Sequence, residues 1–312
     1  MKVLITGGAG FIGGTAVRHF VDVGDQVLNI DKLTYAGKEE NTTVSPFIKL
    51  DICETKKVLN IVEEYKPDFI VHFAAETHVD KSIANCSDFI RTNVEGTASI
   101  LDACRKTRTK LCHISTDEVY GPVTTKPFTE DDRLNPTNPY SSTKAAADML
   151  VQSYRNTYGI DYIIVRPSNN YGPRQHEEKF IPKLLDCIKN KKEFPLYGAG
   201  DQEREWTYVK DTVKRIRSLL ICHKTEWNSI YNLGSGITKT NVNSAQCVIS
   251  LYNEVYDSNI SLNEVVRTTT DRPGHDKKYW ISSEKINNML GSNYTKFDAG
   301  VREILRTYEK HS

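Results

Sequence analysis

The sequence predicts an α/β protein, built on a Rossmann-type doubly wound parallel sheet with a smaller, irregular C-terminal domain. Two observations predict this fold class. Short apolar runs alternate with helix-length stretches through the first half of the chain, and a glycine-rich segment directly follows the first apolar run. Strands that are apolar along their whole length are typical of parallel sheets covered by helices on both faces.

The predicted strands occupy residues 3–6, 26–30, 47–50, 69–73, 111–115 and 162–165, and two of the helical stretches between them are 85–106 and 139–158. The alternation loosens after residue 166, where turns containing glycine and proline multiply. We therefore predict a first domain over residues 1–166, to which 206–237 returns. A second domain is predicted over 167–205 and 238–312.

Composition excludes several classes of partner. Lys and Arg number 41 and Asp and Glu number 40, so the net charge of +1 does not favour nucleic acid. The seven cysteines include no C-x-x-C pair, which is typical of reduced thiols in the cytosol and not of disulfides or a zinc site. No apolar run approaches the roughly 18 residues of a membrane helix. We expect a soluble, cytoplasmic protein without a metal or a membrane partner.

The glycine-rich segment after the first strand predicts dinucleotide binding. It places Gly7, Gly10 and Gly13 between a strand and an amphipathic stretch, with Phe11 and Ile12 at the turn. Such a turn lets backbone N–H groups and a helix N-terminus face a pyrophosphate. Asp31 ends the second predicted strand, where a carboxylate bonds the adenosine ribose and repels a 2′-phosphate.

These features favour NAD over NADP. The pair Asp51 and Ile52, after the third strand, is expected to contact the adenine.

Tyr140 and Lys144 form a second candidate pair, because a spacing of four residues places both side chains on one helix face. Asn138 and Pro139 precede them, a cap and a first-turn residue that predict a helix start. A tyrosine with its usual pKa of about 10 is a poor base at neutral pH. A nearby ammonium and a positively charged nicotinamide ring could lower that pKa.

The chain resembles the extended short-chain dehydrogenases/reductases, and among them the dTDP-glucose 4,6-dehydratases. The discriminating segment is residues 115–121, Ser-Thr-Asp-Glu-Val-Tyr-Gly, since related epimerases and reductases lack the adjacent Asp and Glu. Further matching segments lie at 28–37, 72–80, 138–140, 169–173, 204–206 and 271–276, in the family's order along nearly the whole chain.

The resemblance implies a reaction in which a C4 ketone makes the C5 hydrogen of the sugar acidic. Tyr140 would take the O4 proton while NAD accepts the C4 hydride, with Thr116 holding O4 and Lys144 binding the nicotinamide ribose. Glu118 would then abstract the C5 proton, and protonated Asp117 would donate to the departing C6 hydroxyl. The hydride returns to C6, which regenerates NAD. Two close carboxyl groups suit this division, because one of their pKa values rises.

The resemblance also implies further contacts. The expected cofactor-binding residues, beyond the glycine turn, are Asp31, Lys32, Thr34, Asp51, Ile52, Ala74, Ala75, Tyr140, Lys144 and Asn170. The expected substrate-binding residues are Thr77, Asn169, Lys179, Pro195, Tyr197, Arg204, Asn232, Arg272 and His275. Gly14 and Glu177 depart from the family pattern, which usually has Ser and Pro at these positions.

Alternatives stay open at this point. Uracil could replace thymine in the substrate, which would make the chain a UDP-glucose 4,6-dehydratase. An NAD-dependent nucleotide-sugar 4-epimerase or decarboxylase would not need Asp117 and Glu118. A non-enzymatic NAD-binding regulator would tolerate loss of the catalytic set. The resemblance further implies a homodimer formed through the helices predicted at 85–106 and 139–158.

Overall fold

A computed structural model describes residues 1–123, 125–271 and 276–308. Its centre is a seven-stranded sheet of β1 (Lys2–Thr6), β2 (Gln26–Asp31), β3 (Phe47–Lys49), β4 (Phe69–His72), β5 (Lys110–Ile114), β6 (Tyr162–Pro167) and β10 (Ser229–Leu233). The strand order is β10-β6-β5-β4-β1-β2-β3, and every neighbouring pair is parallel. This topology confirms the predicted Rossmann-type fold class.

Helices cover both faces of this sheet. One face carries α1 (Phe11–Asp22), α8 (Val209–Ile221) and α11 (Glu284–Leu290), whose apolar residues pack with Val3 and Ile5 of β1. The opposite face carries α2 (Thr55–Tyr65), α5 (Thr97–Thr107) and α6 (Pro139–Tyr158), which pack around Leu4 and Ile30. Because both faces are buried, the strands need apolar side chains in both directions, as their sequences have.

The helix predicted over 85–106 is one continuous but uneven segment. It consists of α4 (Ser87–Phe89), a π-helix (Ile90–Gly96) and α5, preceded by the short helix α3 (Val79–Ala84). The helix predicted over 139–158 coincides with α6. Its start is fixed by a capping box, in which the Asn138 side chain accepts a hydrogen bond from the Ser141 N–H, and by Pro139 in the first turn.

The remaining elements form a second core beside the sheet. They comprise a three-stranded sheet of β7 (Asn169–Tyr171), β9 (Glu203–Tyr208) and β11 (Thr238–Thr240), the pair β8 (Phe194–Tyr197) and β12 (Val266–Thr269), and the helices α7 (Phe180–Lys189), α9 (Asn241–Tyr256), α10 (Leu262–Val265) and α12 (Phe297–Tyr308). Short 3₁₀ helices lie at Glu39–Asn41 and Asp117–Tyr120. The predicted domain boundaries stay a prediction.

The sheet reverses its strand order between β1 and β4, and ligands of such sheets bind in the crevice at the carboxyl ends of the strands at this point. Register brings these ends together, since Thr6 pairs with both Ile30 and His72. The loops that follow β1, β2, β4, β5 and β6 therefore meet at one edge. Among the described residues, no helix is long and apolar enough to cross a membrane.

Candidate active site

A cavity of about 300 Å³ opens at the carboxyl ends of the parallel strands. All of the residues predicted for catalysis and for cofactor binding line it: Gly7, Gly10, Phe11, Ile12, Gly13, Asp31, Lys32, Thr34, Asp51, Ile52, Ala74, Ala75, Thr116, Asp117, Glu118, Tyr140, Lys144 and Asn170. These residues lie at or after the carboxyl ends of six strands, β1 to β6, and on α6. The fold thus brings one set of side chains from distant parts of the sequence into a single cavity.

The glycine turn has the geometry that a dinucleotide site needs. Gly7 adopts a φ of +74°, and its carbonyl accepts a hydrogen bond from the Gly10 N–H. A Cβ at Gly13 would lie 2.2 Å from the Gly7 oxygen, so only glycine lets α1 approach the turn this closely. No side chain caps α1 at Gly10. The first-turn N–H groups of α1 are therefore left for a ligand.

Asp31 is held in place by the backbone around it. Its carboxylate accepts hydrogen bonds from the Ala9 N–H at 3.0 Å and the Leu33 N–H at 2.7 Å. Burial raises its pKa despite these bonds. Asp51, further along the cavity, forms ion pairs with Lys32 at 3.0 Å and with Arg91 at 2.9 Å. The residues predicted to contact the ribose and the adenine of the cofactor thus lie in one cavity.

The glycine at position 14, where the family usually has serine, is explained by its contact with Asn41. A Cβ at this position would lie 2.7 Å from the Asn41 Cγ. The Asn41 side chain is buried and donates a hydrogen bond to the Ala9 carbonyl at 2.9 Å. Serine at position 14 would therefore displace the group that supports the glycine turn.

Tyr140 and Lys144 lie on the first turns of α6 and are both buried. The Lys144 Nζ donates a hydrogen bond to the Ile114 carbonyl at 2.7 Å, and burial lowers its pKa to about 8. Burial and the Glu118 carboxylate raise the pKa of Tyr140, while a hydrogen bond with Thr116 acts in the opposite direction. The protein alone therefore does not make Tyr140 a base, and a bound positive charge would be needed.

The 3₁₀ helix after β5 allows two adjacent acids, Asp117 and Glu118, to line the same cavity. Thr116 caps this helix, since its Oγ1 accepts a hydrogen bond from the Glu118 N–H at 3.3 Å. Neighbours in a strand point to opposite faces, whereas the helical turn directs both Asp117 and Glu118 to the cavity. Thr116 also donates to the Asp117 Oδ1 at 3.3 Å.

The buried carboxyl group of Asp117 has unusual electrostatics. Burial raises its pKa well above the ordinary value, and the negative charges of Glu118 and Glu205 act in the same direction. Its Oδ2 atom has no hydrogen-bond partner among the described residues. These surroundings favour the protonated form of the acid and leave one oxygen for a ligand.

Three of the predicted substrate residues, Thr77, Asn169 and Lys179, line the same cavity. The Oδ1 atoms of Asn169 and Asn170 and the Oε1 of Gln175 are buried and lack hydrogen-bond partners in the described part of the chain. Such acceptors require donors, which hydroxyl or amide groups of a ligand can supply. The Lys179 ammonium lies 3.4 Å from the Glu178 carboxylate.

The other substrate predictions fall elsewhere. Pro195 and Tyr197 lie on β8 and are not among the residues that line the cavity. Arg204 is buried and donates a hydrogen bond to the Asp276 carbonyl. Its guanidinium lies 4.5 Å from the centre of the Tyr279 ring. Arg272 and His275 lie outside the described residues.

Asn232 differs most from the expected placement. It is fully buried on β10, where its amide accepts from the Tyr120 hydroxyl and donates to the Phe128 carbonyl. Both side-chain groups are thus bonded within the protein. The substrate contact expected for Asn232 has no support in this placement.

Several cavity residues were not anticipated, namely Glu76, Thr92, Gln175, His176 and Glu178. Glu178 lies 3.3 Å from the His78 Nε2, and His176 contacts the Tyr35 carbonyl at 3.2 Å, so this cluster links three loops over the cavity. A polar segment directly after a strand that ends at the cavity is the signal that could have indicated them.

Comparisons with known proteins agree with this geometry. The GDP-mannose 4,6 dehydratase family model matches residues 4–304. The dTDP-glucose 4,6-dehydratase of Haemophilus influenzae is 40% identical over 332 aligned residues, covering 99% of this chain and 98% of that protein.

Solved structures of related proteins have the same overall fold. The crystal structure of DesIV, a dTDP-glucose 4,6-dehydratase from Streptomyces venezuelae with NAD bound, superposes with a TM-score of 0.91 at 35% identity, covering 99% of this chain and 97% of that one. A UDP-glucose 4-epimerase from Thermotoga maritima reaches 0.90 at 25% identity, covering 100% of this chain and 99% of that chain. Since the family model spans most of the sequence and a close relative spans nearly all of it, the chain belongs to the dTDP-glucose 4,6-dehydratase family.

Proposed function

We propose that this protein is an NAD-dependent nucleotide-sugar 4,6-dehydratase that converts dTDP-glucose to dTDP-4-dehydro-6-deoxy-glucose. The observation that carries the proposal is the position of Asp117 and Glu118, which line the same cavity as Tyr140 and Lys144. A 4-epimerase needs the tyrosine and the lysine but has no use for a second, acidic pair. The carboxyl groups supply what the removal of water requires, a base and an acid.

The residues of the cavity fit NAD. The first-turn N–H groups of α1 suit a pyrophosphate, and the Asp31 carboxylate suits the two hydroxyl groups of an adenosine ribose. The unpartnered Oδ1 of Asn170 can accept from an amide donor of the cofactor. When bound, NAD supplies a reversible hydride acceptor and a positive charge next to Tyr140.

The oxidation at C4 uses the residues of α6. Tyr140 takes the proton from the sugar O4, to which Thr116 also bonds. Lys144 is oriented by its hydrogen bond to the Ile114 carbonyl and carries a positive charge below its pKa of about 8. That charge favours the ionised form of the neighbouring tyrosine.

The elimination uses the 3₁₀ helix. Once C4 is a ketone, the C5 hydrogen is acidic, and Glu118 removes it as the general base. Asp117 is the general acid that protonates the departing C6 hydroxyl, which agrees with the raised pKa of this carboxyl group. Thr77, Asn169 and Lys179 then contact the sugar or the pyrophosphate.

Thymine is proposed as the base because the relatives include several dTDP-glucose 4,6-dehydratases. Uracil differs from it by one methyl group, which is worth only about 1–3 kcal/mol of discrimination. UDP-glucose is therefore the second candidate substrate. We further propose that the protein acts in the cytoplasm as a homodimer, formed through α5 and α6 with the short helices that precede α5.

The test is mass spectrometry of the protein incubated separately with dTDP-glucose and UDP-glucose in heavy water without added reductant. We expect the loss of one water and the gain of one deuterium, with faster conversion of dTDP-glucose. Retained mass with both sugars, in protein that binds NAD, would refute the dehydratase and favour the epimerase. Conversion of UDP-glucose alone would replace the proposed substrate and keep the reaction.

The Glu118→Gln variant tests the proposed division of roles. The amide keeps the shape of the side chain and cannot accept the C5 proton. We expect C4 oxidation to continue while water loss falls by on the order of 100-fold or more. If Glu118→Gln dehydrates the sugar as fast as the unchanged protein, the proposed mechanism is wrong.

A further inference from the structure

Arg166 is a buried charge that the proposed reaction does not use. It lies near the end of β6, is 1% exposed, and does not line the cavity. A charged group costs several kcal/mol to bury unless it is paired and hydrogen-bonded. A hydrophobic side chain of similar volume would fill the same space without this cost.

The guanidinium bonds to two different elements. Its Nε donates to the Asp148 Oδ2 at 2.9 Å, and its Nη1 donates to the Tyr120 hydroxyl at 2.7 Å. The group also lies 4.8 Å from the centre of the Tyr120 ring. The Tyr120 hydroxyl in turn donates to the Asn232 Oδ1 at 2.8 Å. The planar fork of arginine fixes the directions of both bonds, which a lysine cannot do.

Each partner belongs to one of the two catalytic segments. Asp148 follows Lys144 by four residues on α6, which is about one helical turn, and so moves with the helix that carries Tyr140 and Lys144. Tyr120 is the last residue of the 3₁₀ helix that begins at Asp117. One side chain thus joins the helix of the C4 oxidation to the turn of the elimination.

Two ring side chains, His113 and Phe128, lie next to Asp148 and Tyr120. His113 of β5 lies 3.5 Å from the Asp148 Oδ1, and burial holds its pKa well below the ordinary value. Its ring is neutral at physiological pH and does not compete with Arg166 for the carboxylate. On the other side, the Tyr120 ring stacks on Phe128 at 5.1 Å, which leaves the phenol little freedom to move.

We propose that Arg166 is a positioning residue, which sets the distance between the Tyr140–Lys144 pair and the Asp117–Glu118 pair through its bonds to Asp148 and Tyr120. The expected effect on the reaction rate rests on the proposed function. The expected effect on the position of the 3₁₀ helix rests on the contacts alone. The two catalytic pairs must reach three consecutive carbons of one sugar, C4, C5 and C6, and a misplacement of about 1 Å can cost on the order of 100-fold in rate.

Two substitutions test the bonds from Arg166 to Asp148 and to Tyr120. Arg166→Lys keeps the charge next to Asp148 but cannot bond both partners in the same directions, and Tyr120→Phe removes the hydroxyl and keeps the ring. Both variants should loosen the 3₁₀ helix and leave α6 in place. Tyr154→Phe is the matched control, because it removes a hydroxyl bond from a distant part of α6 to Asp102 of α5.

The first measurement is hydrogen–deuterium exchange of the full-length protein. We expect faster exchange at residues 117–121 in Arg166→Lys and in Tyr120→Phe, with unchanged exchange at 139–144 and no change at either segment in Tyr154→Phe. Unchanged exchange at 117–121 in both variants overturns the proposal. This measurement needs no substrate, so its outcome is independent of the proposed function.

The second measurement compares the two halves of the reaction. With substrate deuterated at C4, the two variants should show a smaller isotope effect on kcat than the unchanged protein, because elimination becomes limiting. The oxidised sugar, lighter than the substrate by two hydrogens, should accumulate about tenfold or more over the level in the unchanged protein. The double variant should be no slower than the single ones. Equal slowing of both halves, without accumulation, would indicate a general loss of stability and overturn the proposal.

Discussion

Asp117 is a carboxylic acid whose surroundings favour the protonated form. Its raised pKa has three causes that act together, first burial and then the charges of Glu118 and Glu205. Glu205 is itself buried, accepts hydrogen bonds from the Gly236 and Ile281 N–H groups, and has a pKa raised to about 6 by burial. The raised pKa of the acid proposed for the elimination is therefore a consequence first of its burial and then of the two further carboxyl groups packed close to it.

This environment predicts a pH-dependent cost in stability. The pKa of Asp117 is higher in the folded protein than the ordinary pKa of 3.8. Its contribution to the free energy of unfolding is therefore fully present at pH values below 3.8, and it is lost as the pH rises through the folded pKa. We expect Asp117→Asn to unfold at a higher temperature than the unchanged protein at neutral pH, by roughly 2–4 °C for each kcal/mol removed. The difference should vanish at about pH 3, where the aspartate is protonated in both states.

Calorimetry at the two pH values measures this difference, and the same variant should lose turnover by on the order of 100-fold or more because an amide cannot transfer the proton. A variant that is less stable than the unchanged protein at neutral pH would contradict the raised pKa.

Tyr140 gives a second prediction for a single residue. Burial and Glu118 raise its pKa in the protein alone, so ionisation requires the positive charge of the oxidised cofactor. Adding NAD⁺ should therefore produce a phenolate signal in ultraviolet difference spectra at mildly alkaline pH. Tyr140→Phe, which retains the ring, should abolish the signal without abolishing binding. An equal signal with NADH, which has no ring charge, would show that the charge is not the cause.

At this scale the sequence predicted much of the site, because strand ends, glycine turns and helix spacing place residues by geometry. Tyr140 and Lys144 follow from such a local pattern, whereas Thr116, Asp117 and Glu118 are implied by the family resemblance, and all five line one cavity. The surroundings of Asn232 could not be predicted in this way. Its burial and its bond to Tyr120, 112 residues earlier, depend on tertiary packing, which no local pattern contains.

The π-helix at Ile90–Gly96 is an element that the sequence did not reveal. A π-turn shifts the apolar pattern by only one residue, so the stretch 85–106 still has the periodicity of a regular helix. Its function becomes clear from Asn93, which lies within it and is 1% exposed. The Asn93 side chain accepts from the Glu76 N–H at 2.8 Å and donates to the Glu76 carbonyl and the Thr143 Oγ1. It therefore ties the cavity loop after β4 to α6.

Asn93→Ala should destabilise the protein by about 1–3 kcal/mol, because Glu76 and Thr143 lose buried hydrogen-bond partners. We also expect a larger KM or smaller kcat, since Glu76 and Thr77 belong to the loop that would be released. Denaturant unfolding and steady-state kinetics measure the two effects. Asn190→Ala, which removes an exposed bond to Asp186, is the control and should change neither. A stable Asn93→Ala protein with unchanged kinetics would refute the role of this π-helix.

For the whole molecule, the sequence predicted the first half better than the second. Apolar strands and regular helices identify six of the seven strands of the large sheet, all except β10. By contrast, β7 and β11 have only three residues each and no repeating pattern. Their positions follow from contacts with β9 and from a core that includes Tyr171, Trp206 and Phe297. Such a core is assembled from residues far apart in the chain, so no local pattern predicts it.

The last prediction concerns the assembly. Three apolar side chains on neighbouring elements are unusually exposed, namely Ile83 of α3 at 44%, Ile90 of the π-helix at 45% and Met149 of α6 at 60%. These elements pack together, so the exposed side chains belong to the side of the molecule where the homodimer is proposed. Apolar surface gathered on one side is typical of protein interfaces.

Met149→Glu should place a charge within this interface and shift the protein from dimer to monomer. Sedimentation velocity and light scattering measure the mass directly. The matched control is Ile221→Glu, because Ile221 is 54% exposed at the end of α8, on the opposite face of the sheet, and should leave the mass unchanged. The cavity is built from residues of one chain, so the Met149→Glu monomer should still bind NAD. If Met149→Glu keeps the mass of the unchanged protein while Ile221→Glu reduces it, the interface lies on the other face.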